Sequence, residues 1–395
     1  MITPELTRAR WAVAAIFAVH GMSSGSFAAR IPWVADHLRL EAGQLGLVLL
    51  MPAIGALVSM PFAGRLVNRF GGKTVTRVFI AAWTVAVMLV PLAPNRWLLM
   101  AILLLAGAAA GTSDMAMNAE GVAVEKGLGR SIMSSLHGMW SVGGLIGGGI
   151  GAAAAYLGVG APANLAAVGF LLLIAGFFAG RYLLVTEPGS EQDSAPRFSL
   201  PRGPVLIIGL VGLCAVFAEI AAADWSAVYM RRVLGTGEGT AAVAYATFAL
   251  AMSASRLSGD YVVARIGAVR TVRFAGLAGV IGGILVATSW SGLLVTLGFG
   301  LIGVGVAVVV PLAFSAAGHA DAHPANAIAG VATVSYGAGL AAPGVIGGVA
   351  HLTSLPVSFA LVTGLILIVV LSASRLRGAE VAHAPVPTPS PMGTM

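Results

Sequence analysis

Residues 97–121 read WLLMAILLLAGAAAGTSDMAMNAEG. As a helix rising 1.5 Å per residue, this stretch is long enough to cross a ~30 Å hydrocarbon core. Yet it carries Asp114, Asn118 and Glu120, with Glu125 just beyond and His137 early in the next apolar run. A charge at mid-bilayer costs ~3 kcal/mol on insertion scales, so such groups face a bundle interior or a watery path rather than lipid. The stretch therefore predicts a membrane helix with chemistry on one face.

Working outward, the same length and composition recur from end to end. Of 395 residues, 58% are hydrophobic and 9% charged, against roughly 25% charged in a soluble domain. About twelve apolar runs can be placed, near 11–37, 44–67, 74–93, 97–121, 131–157, 161–185, 204–230, 240–264, 268–288, 292–318, 325–351 and 355–374. The expected fold is all-α and integral to the membrane, with twelve transmembrane helices. The 53 glycines suit helices that associate by close backbone approach; Gly107, Gly111, Gly143, Gly147, Gly300 and Gly303 fit packing better than ligand contact. The first run is too long for the apolar core of a signal peptide and is expected to stay in the mature protein. Cys214 stands alone within a span, which rules out an intramolecular disulfide and suggests a buried structural thiol.

Two similar halves are expected: 1–186, a polar cytoplasmic linker at 187–203, 204–377, and a disordered Pro-rich tail at 378–395. Ser141 and Gly143 are echoed by Ser335 and Gly337, and Gly64, Arg69 and Gly71 by Gly259, Arg265 and Gly267. Internal repeats of this kind build transporters with the substrate site near mid-membrane between halves. The net charge of +7 needs no nucleic-acid partner. With both termini inside, most Lys and Arg residues fall on the cytoplasmic side, leaving Arg39, Arg96, Arg231 and Arg232 outside and Arg30 and Arg256 within spans. That bias predicts a multi-pass protein of the cytoplasmic membrane with both termini cytoplasmic.

The loop after the second run, Gly64, Arg65, Leu66, Val67, Asn68, Arg69, Phe70, Gly71, Gly72, Lys73, resembles the signature of the major facilitator superfamily. Asn68 stands where the family has Asp, so this loop can hydrogen-bond at the cytoplasmic gate but cannot form the charged latch. Asp114 followed by Asn118, together with Leu136 to Gly143, resembles the fucose-permease-like branch and its uncharacterised bacterial relatives. That branch's first-span acid has no match here, since 25–32 carries Arg30 and no carboxylate. The fifth-span Gly-Pro pattern of the drug antiporters is also incomplete, with no proline in 143–151.

The resemblance implies a secondary transporter working by alternating access. Asp114 is the first choice for proton coupling, because desolvation disfavours the charged form of a carboxyl; Glu219 is the second, with an interhelical salt bridge as its alternative. His137, which titrates near neutral pH when unperturbed, is a relay candidate, with a core histidine equally open. His20, Asn118 and Trp140 are candidate substrate contacts. Arg30 and Asp224, at corresponding places in spans one and seven, are expected to pair as an outer gate, the alternative being separate interface anchoring with Trp33 and Trp225. Gly64, Asn68, Arg69, Gly71 and Lys73 form the expected cytoplasmic gating loop. Glu120 and Glu125 are expected at the cytoplasmic boundary, solvated or in a latch, and Arg256 with Asp260 at the inner end of span eight. No phosphate loop, metal cluster or nucleophilic triad is present, so neither an enzyme nor a bound cofactor is expected. The expected partners are a small-molecule substrate, protons and the lipid bilayer, with the chain a monomer. A small, sugar-like polar solute carried by proton symport is the leading expectation. Proton-driven export of drugs or amphiphilic metabolites follows, then a transporter-like sensor or lipid-moving protein.

Overall fold

The structure, a computed structural model, describes residues 3–40, 42–184, 201–236, 238–320 and 323–379. Most of the expected linker and nearly all of the expected tail lie outside the described residues. Among those described, the chain is helical and contains no strand. The first crossing is α1 (Pro4–Ala28) continued by α2 (Ile31–His37); then come α3 (Ala42–Phe70), α4 (Gly72–Leu89), α5 (Arg96–Leu128), α6 (Met133–Tyr156) and α7 (Ala161–Gly180). The second set is α8 (Gly203–Arg232), α9 (Glu238–Ile266), α10 (Ala268–Thr288), a tenth crossing made of α11 (Gly292–Val306) and α12 (Val309–Ala320), then α13 (Pro324–Leu352) and α14 (Leu355–Ser372). Eleven of the twelve crossings are apolar enough to be membrane spans by composition alone. The remaining one, α9, is as long, but Arg256 and Asp260 in its second half lower its hydropathy.

Local chemistry sets the helix ends. Asn95 caps α5 by accepting from the Trp97 and Leu98 amides at 3.1 and 3.0 Å, as an N-cap side chain should. Gly129, at φ 61°, closes the same helix in the left-handed conformation that glycine adopts freely. Gly71 at φ 80° and Gly267 at φ 82° make the α3–α4 and α9–α10 turns, so the repeat seen in sequence is a repeat of backbone geometry. The α11–α12 break has its own cause. Pro311 has no N–H to donate to the carbonyl four residues back, so Ala307 is left with a free acceptor.

Helix packing follows the repeat. In the first set α1 lies on α6 and α3 on α5; in the second α8 lies on α13 and α9 on α11, while α3 meets α13 and α6 meets α9 across the two sets. The result is two pseudo-symmetric six-helix halves. The α1–α6 seam is closest, because a side chain at Gly21 or Gly25 would run into the backbone carbonyls of Trp140 and Gly144, and one at Gly143 into that of Ala18. Gly107 and Gly303 meet the carbonyls of Pro52 and Phe248 in the same manner. Overpacking such a contact costs ~1–3 kcal/mol or more. Gly25→Ala is therefore expected to lower the unfolding midpoint of the detergent-solubilised protein, while Gly149→Ala, with nothing within 4 Å of its added carbon, should leave it unchanged.

Candidate functional site

A cavity of about 310 Å³ lies between the halves, lined by His20, Asp114 and Trp140 from the first and Glu219, Arg256 and Tyr336 from the second. A larger one of about 600 Å³ shares Trp140, Glu219 and Arg256 with it and runs past Ala28, Gly148 and Tyr245 towards the end of the bundle opposite the termini. The path from the centre is therefore open at that end.

Arg256 on α9 is the most heavily tied group in the cavity. Its Nη2 donates to both carboxylate oxygens of Glu219 on α8, at 3.1 and 2.9 Å. Its Nη1 reaches Ser141 Oγ on α6 at 3.3 Å, and its Nε reaches the Ala307 carbonyl at 3.3 Å. That carbonyl is the acceptor freed by Pro311, so the helix break and the buried cation satisfy each other. Glu219 is thus engaged in the interhelical salt bridge that was the alternative to its proton-coupling role. The expected grouping of Arg256 with Asp260 is not found: the two side chains point to different partners although one turn apart.

Asp114 differs from Glu219 in having no cation beside it. Asn118 Nδ2 donates to the Asp114 carbonyl at 2.8 Å and to Oδ1 at 3.4 Å, the Tyr336 hydroxyl faces the carboxyl from the other half, and Oδ2 is buried without a hydrogen-bond partner. Asn118 Oδ1 in turn lies 3.0 Å from His137 Nε2, which makes a continuous polar file from Asp114 through Asn118 to His137. The His137 ring sits between Phe17 and Phe314, with centroids at 5.3 and 6.0 Å.

His20 is held by two opposed hydrogen bonds. Trp140 Nε1 donates to His20 Nδ1 at 3.0 Å, while His20 Nε2 lies 3.2 Å from the Ala110 carbonyl. Indole N–H only donates and a carbonyl only accepts, so the ring is the neutral tautomer with its proton on Nε2. In this arrangement His20 orients Trp140 and has no second nitrogen free for a proton.

The end bearing the termini is closed by contacts between the halves. Asn68 Nδ2 donates to Asn326 Oδ1 at 3.3 Å, and Gly64 lets α3 approach the start of α13. Asn68 thus forms an uncharged cross-link. The charged counterpart lies at the other pseudo-equivalent place. Asp260 on α9 accepts from the Ser134 and Ser135 amides at 2.9 and 2.8 Å and from Ser131 Oγ at 3.2 Å. Glu125 accepts from the Ile132 and Met133 amides at 2.9 and 3.2 Å and from Ser315 Oγ on α12. Two carboxylates, one from each half, thereby take the amides that start α6, groups that a helix leaves without internal partners. Lys126 Nζ adds a bond to the Gly318 carbonyl at 2.5 Å.

Several expectations are corrected here. Glu120 and Glu125 are 2% and 0% exposed rather than solvated, because α5 continues to Leu128 and keeps both facing protein; Glu125 takes the latch alternative through Ser315 of the other half, while Glu120 lies against Lys73 and the Leu184 amide. Of the gating loop, Arg69 lies over the Phe70 ring at 5.2 Å and Lys73 Nζ donates to the Arg181 carbonyl at 2.7 Å, so neither makes the cross-half contact that Asn68 makes. The Arg30–Asp224 pair is not formed. Arg30 is 3% exposed and donates to Asn164 Oδ1 at 2.9 Å and the Val159 carbonyl at 2.7 Å, all within the first half, whereas Asp224 is exposed on α8. Sequence reasoning missed Tyr336 and the cavity role of Arg256. The signal for Tyr336 was present, since it stands between Ser335 and Gly337 where the first half has Val142.

Removing one member of a buried ion pair costs ~3–5 kcal/mol because it strands the other charge. Glu219 is about a quarter exposed, so Glu219→Gln is expected to cost about 2 kcal/mol after screening, read as a lower unfolding midpoint in detergent. Glu219→Gln combined with Arg256→Met should recover most of that loss.

Residues 13–343 match the family model described as Major Facilitator Superfamily. An uncharacterised MFS-type transporter of Yersinia pestis is 36% identical over 358 residues, covering 90% of this chain and 93% of that protein. An uncharacterised transporter of Sinorhizobium fredii is also 36% identical, over 89% of this chain and 93% of its own length. Among solved structures, the transporter FucP in its outward conformation superposes with a TM-score of 0.77 at 13% identity, over 92% of this chain and 97% of that one, a likeness of fold. The matching family consists of transporters rather than enzymes. With its twelve crossings in two pseudo-symmetric halves, this chain belongs to the Major Facilitator Superfamily and is a multi-pass membrane transport protein.

Proposed function

We propose that the chain is a proton-coupled secondary transporter that carries a small, sugar-like polar solute by alternating access, with Asp114 as the proton-carrying group. The observation that carries the reading is Asp114 itself, a cavity carboxyl with one oxygen unpartnered and no cation beside it. Glu219 is the weaker candidate, because both of its carboxylate oxygens are already taken by Arg256 Nη2. Protonating Asp114 removes a charge from the cavity and alters its contact with Tyr336 across the halves, which supplies a link between proton binding and the relative stability of the two states. His137, through Asn118, is the next group on the polar file.

A cavity of about 310 Å³ is at the small end of ligand sites, and among apolar walls that include Phe17, Met60, Val216 and Val310 it presents polar groups from both halves that could hold a polar solute. Trp140 and His20 act as one hydrogen-bonded unit on the substrate side. The excess of Lys and Arg at the end that bears the termini supports a cytoplasmic placement of that end. In that orientation the structure is outward-facing, and the α6 carboxylate cluster with Asn68–Asn326 is the closed inner gate.

Two measurements test this. Internal pH is followed in proteoliposomes while a panel of sugars and polyols is added outside. Acidification by a sugar, lost in Asp114→Asn, is the expected result; equal acidification in Asp114→Asn would sink the coupling role of Asp114, and alkalinisation on adding lipophilic cations would favour export. For the gate, Met133→Cys in a Cys214→Ala background places a thiol at a position that is 0% exposed. Adding Asp260→Ala is expected to speed its reaction with a soluble maleimide about tenfold or more, from the ~1.5–3 kcal/mol of a hydrogen bond to a charged group. An unchanged rate would mean that Asp260 does not hold that end shut.

A further inference from the structure

On the outer surface of the first half, away from the central path, a groove of about 350 Å³ runs between α4 and α7. Its walls include Val78, Ala81 and Thr84 from α4 and Leu172, Gly176 and Phe177 from α7. Val78 and Phe177 are 55% and 49% exposed, as expected for side chains facing hydrocarbon. Gly176 keeps the floor hollow: a side chain there would meet nothing nearer than Ile80 and Val19 at 4.0 Å, so the glycine is not required by helix packing. Gly180, one turn on, has a different task, since it seats the aliphatic stem of Arg77.

The mouth of the groove, at the end that bears the termini, is basic. Arg77 and Arg181 both lie over the Phe177 ring, at 5.8 and 4.9 Å from its centroid. Among the described residues neither is paired with a carboxylate, whereas Lys73 nearby faces Glu120. Two guanidinium groups therefore sit where an apolar channel meets the membrane surface. From Arg77 to Thr84 the channel follows seven residues of helix, ~10 Å at 1.5 Å per residue, enough for the upper part of one acyl chain. Guanidinium forks match phosphate oxygens better than an ammonium does, and basic pockets between membrane helices suit lipid head groups.

We propose that this groove binds one anionic phospholipid, with an acyl chain between α4 and α7 and the head-group phosphate at Arg77 and Arg181. The assignment does not depend on what the central cavity carries. A zwitterionic lipid offers the same phosphate but brings its own cation against the two arginines, so selectivity for net negative charge is the distinguishing property.

The test uses the purified full chain in mild detergent, with equimolar phosphatidylglycerol and phosphatidylcholine of identical chains, and native mass spectrometry of the retained adducts. Phosphatidylglycerol is expected to dominate, and Arg77→Ala to lower its preference about fivefold, the share of one basic residue near a charged membrane surface. Gly176→Leu fills the groove and should reduce retention of both lipids, with the unfolding midpoint confirming that the variant folds. Equal retention of the two lipids by the native chain would overturn the proposal, as would undiminished preference in Arg77→Ala. Displacement of the lipid by millimolar inorganic phosphate would overturn it too, by reassigning the arginines to a free anion.

Discussion

Arg256 buries a guanidinium group inside the bundle, and much of the central architecture answers that constraint. Three kinds of acceptor meet it: a carboxylate on α8, a hydroxyl on α6 and a backbone carbonyl in the tenth crossing. The last exists only because Pro311 interrupts its helix. Irregular backbone at membrane depth is tolerated where protein groups satisfy what the break exposes, and a cation is well suited to an orphan carbonyl. Polar contacts that would each be costly alone are stable as a set. The set also joins α6 to α8, α9 and the tenth crossing, so the two halves share a centre.

The closed end shows the same logic with different atoms. Helix starts present unpaired amides and a partial positive charge, and the start of α6 is buried between the halves at this end. Glu125 and Asp260 meet that start from opposite sides, whereas the pseudo-equivalent contact of α3 with α13 is made by two asparagines. The repeat is therefore symmetric in fold and asymmetric in charge. The charged tie lies between α6 and α9, whereas α3 meets α13 through close packing at Gly64 and a hydrogen bond between neutral amides.

How much of this was legible in the residues follows from physical range. Helix length, apolar composition and glycine turns are local properties, so the twelve crossings and the correspondence of Gly71 with Gly267 could be read directly. Asp114, Asn118 and His137 were also legible, because i and i+4 on one helix share a face and the histidine follows a short turn. Partners brought together by tertiary packing were not. Arg256 and Asp260 look like a local pair at helical spacing, and nothing in the chain says that one faces Glu219 and the other the start of α6. Arg30 and Asp224 stand at matching places in two repeats, yet Arg30 is used up by Asn164 and Val159 in its own half. Matching position guarantees a similar environment, not mutual contact.

The glycine seam between α1 and α6 has a mechanical meaning. Where backbone rests on backbone there are no flexible side chains to absorb a shift, so these two helices form a stiff plate rather than two independent rods. His20 and Trp140, hydrogen-bonded across that plate, keep a fixed mutual geometry whatever the rest of the molecule does. Any change in cavity shape must then come from the opposing wall moving against it, and this side of the cavity is a mould rather than a clasp.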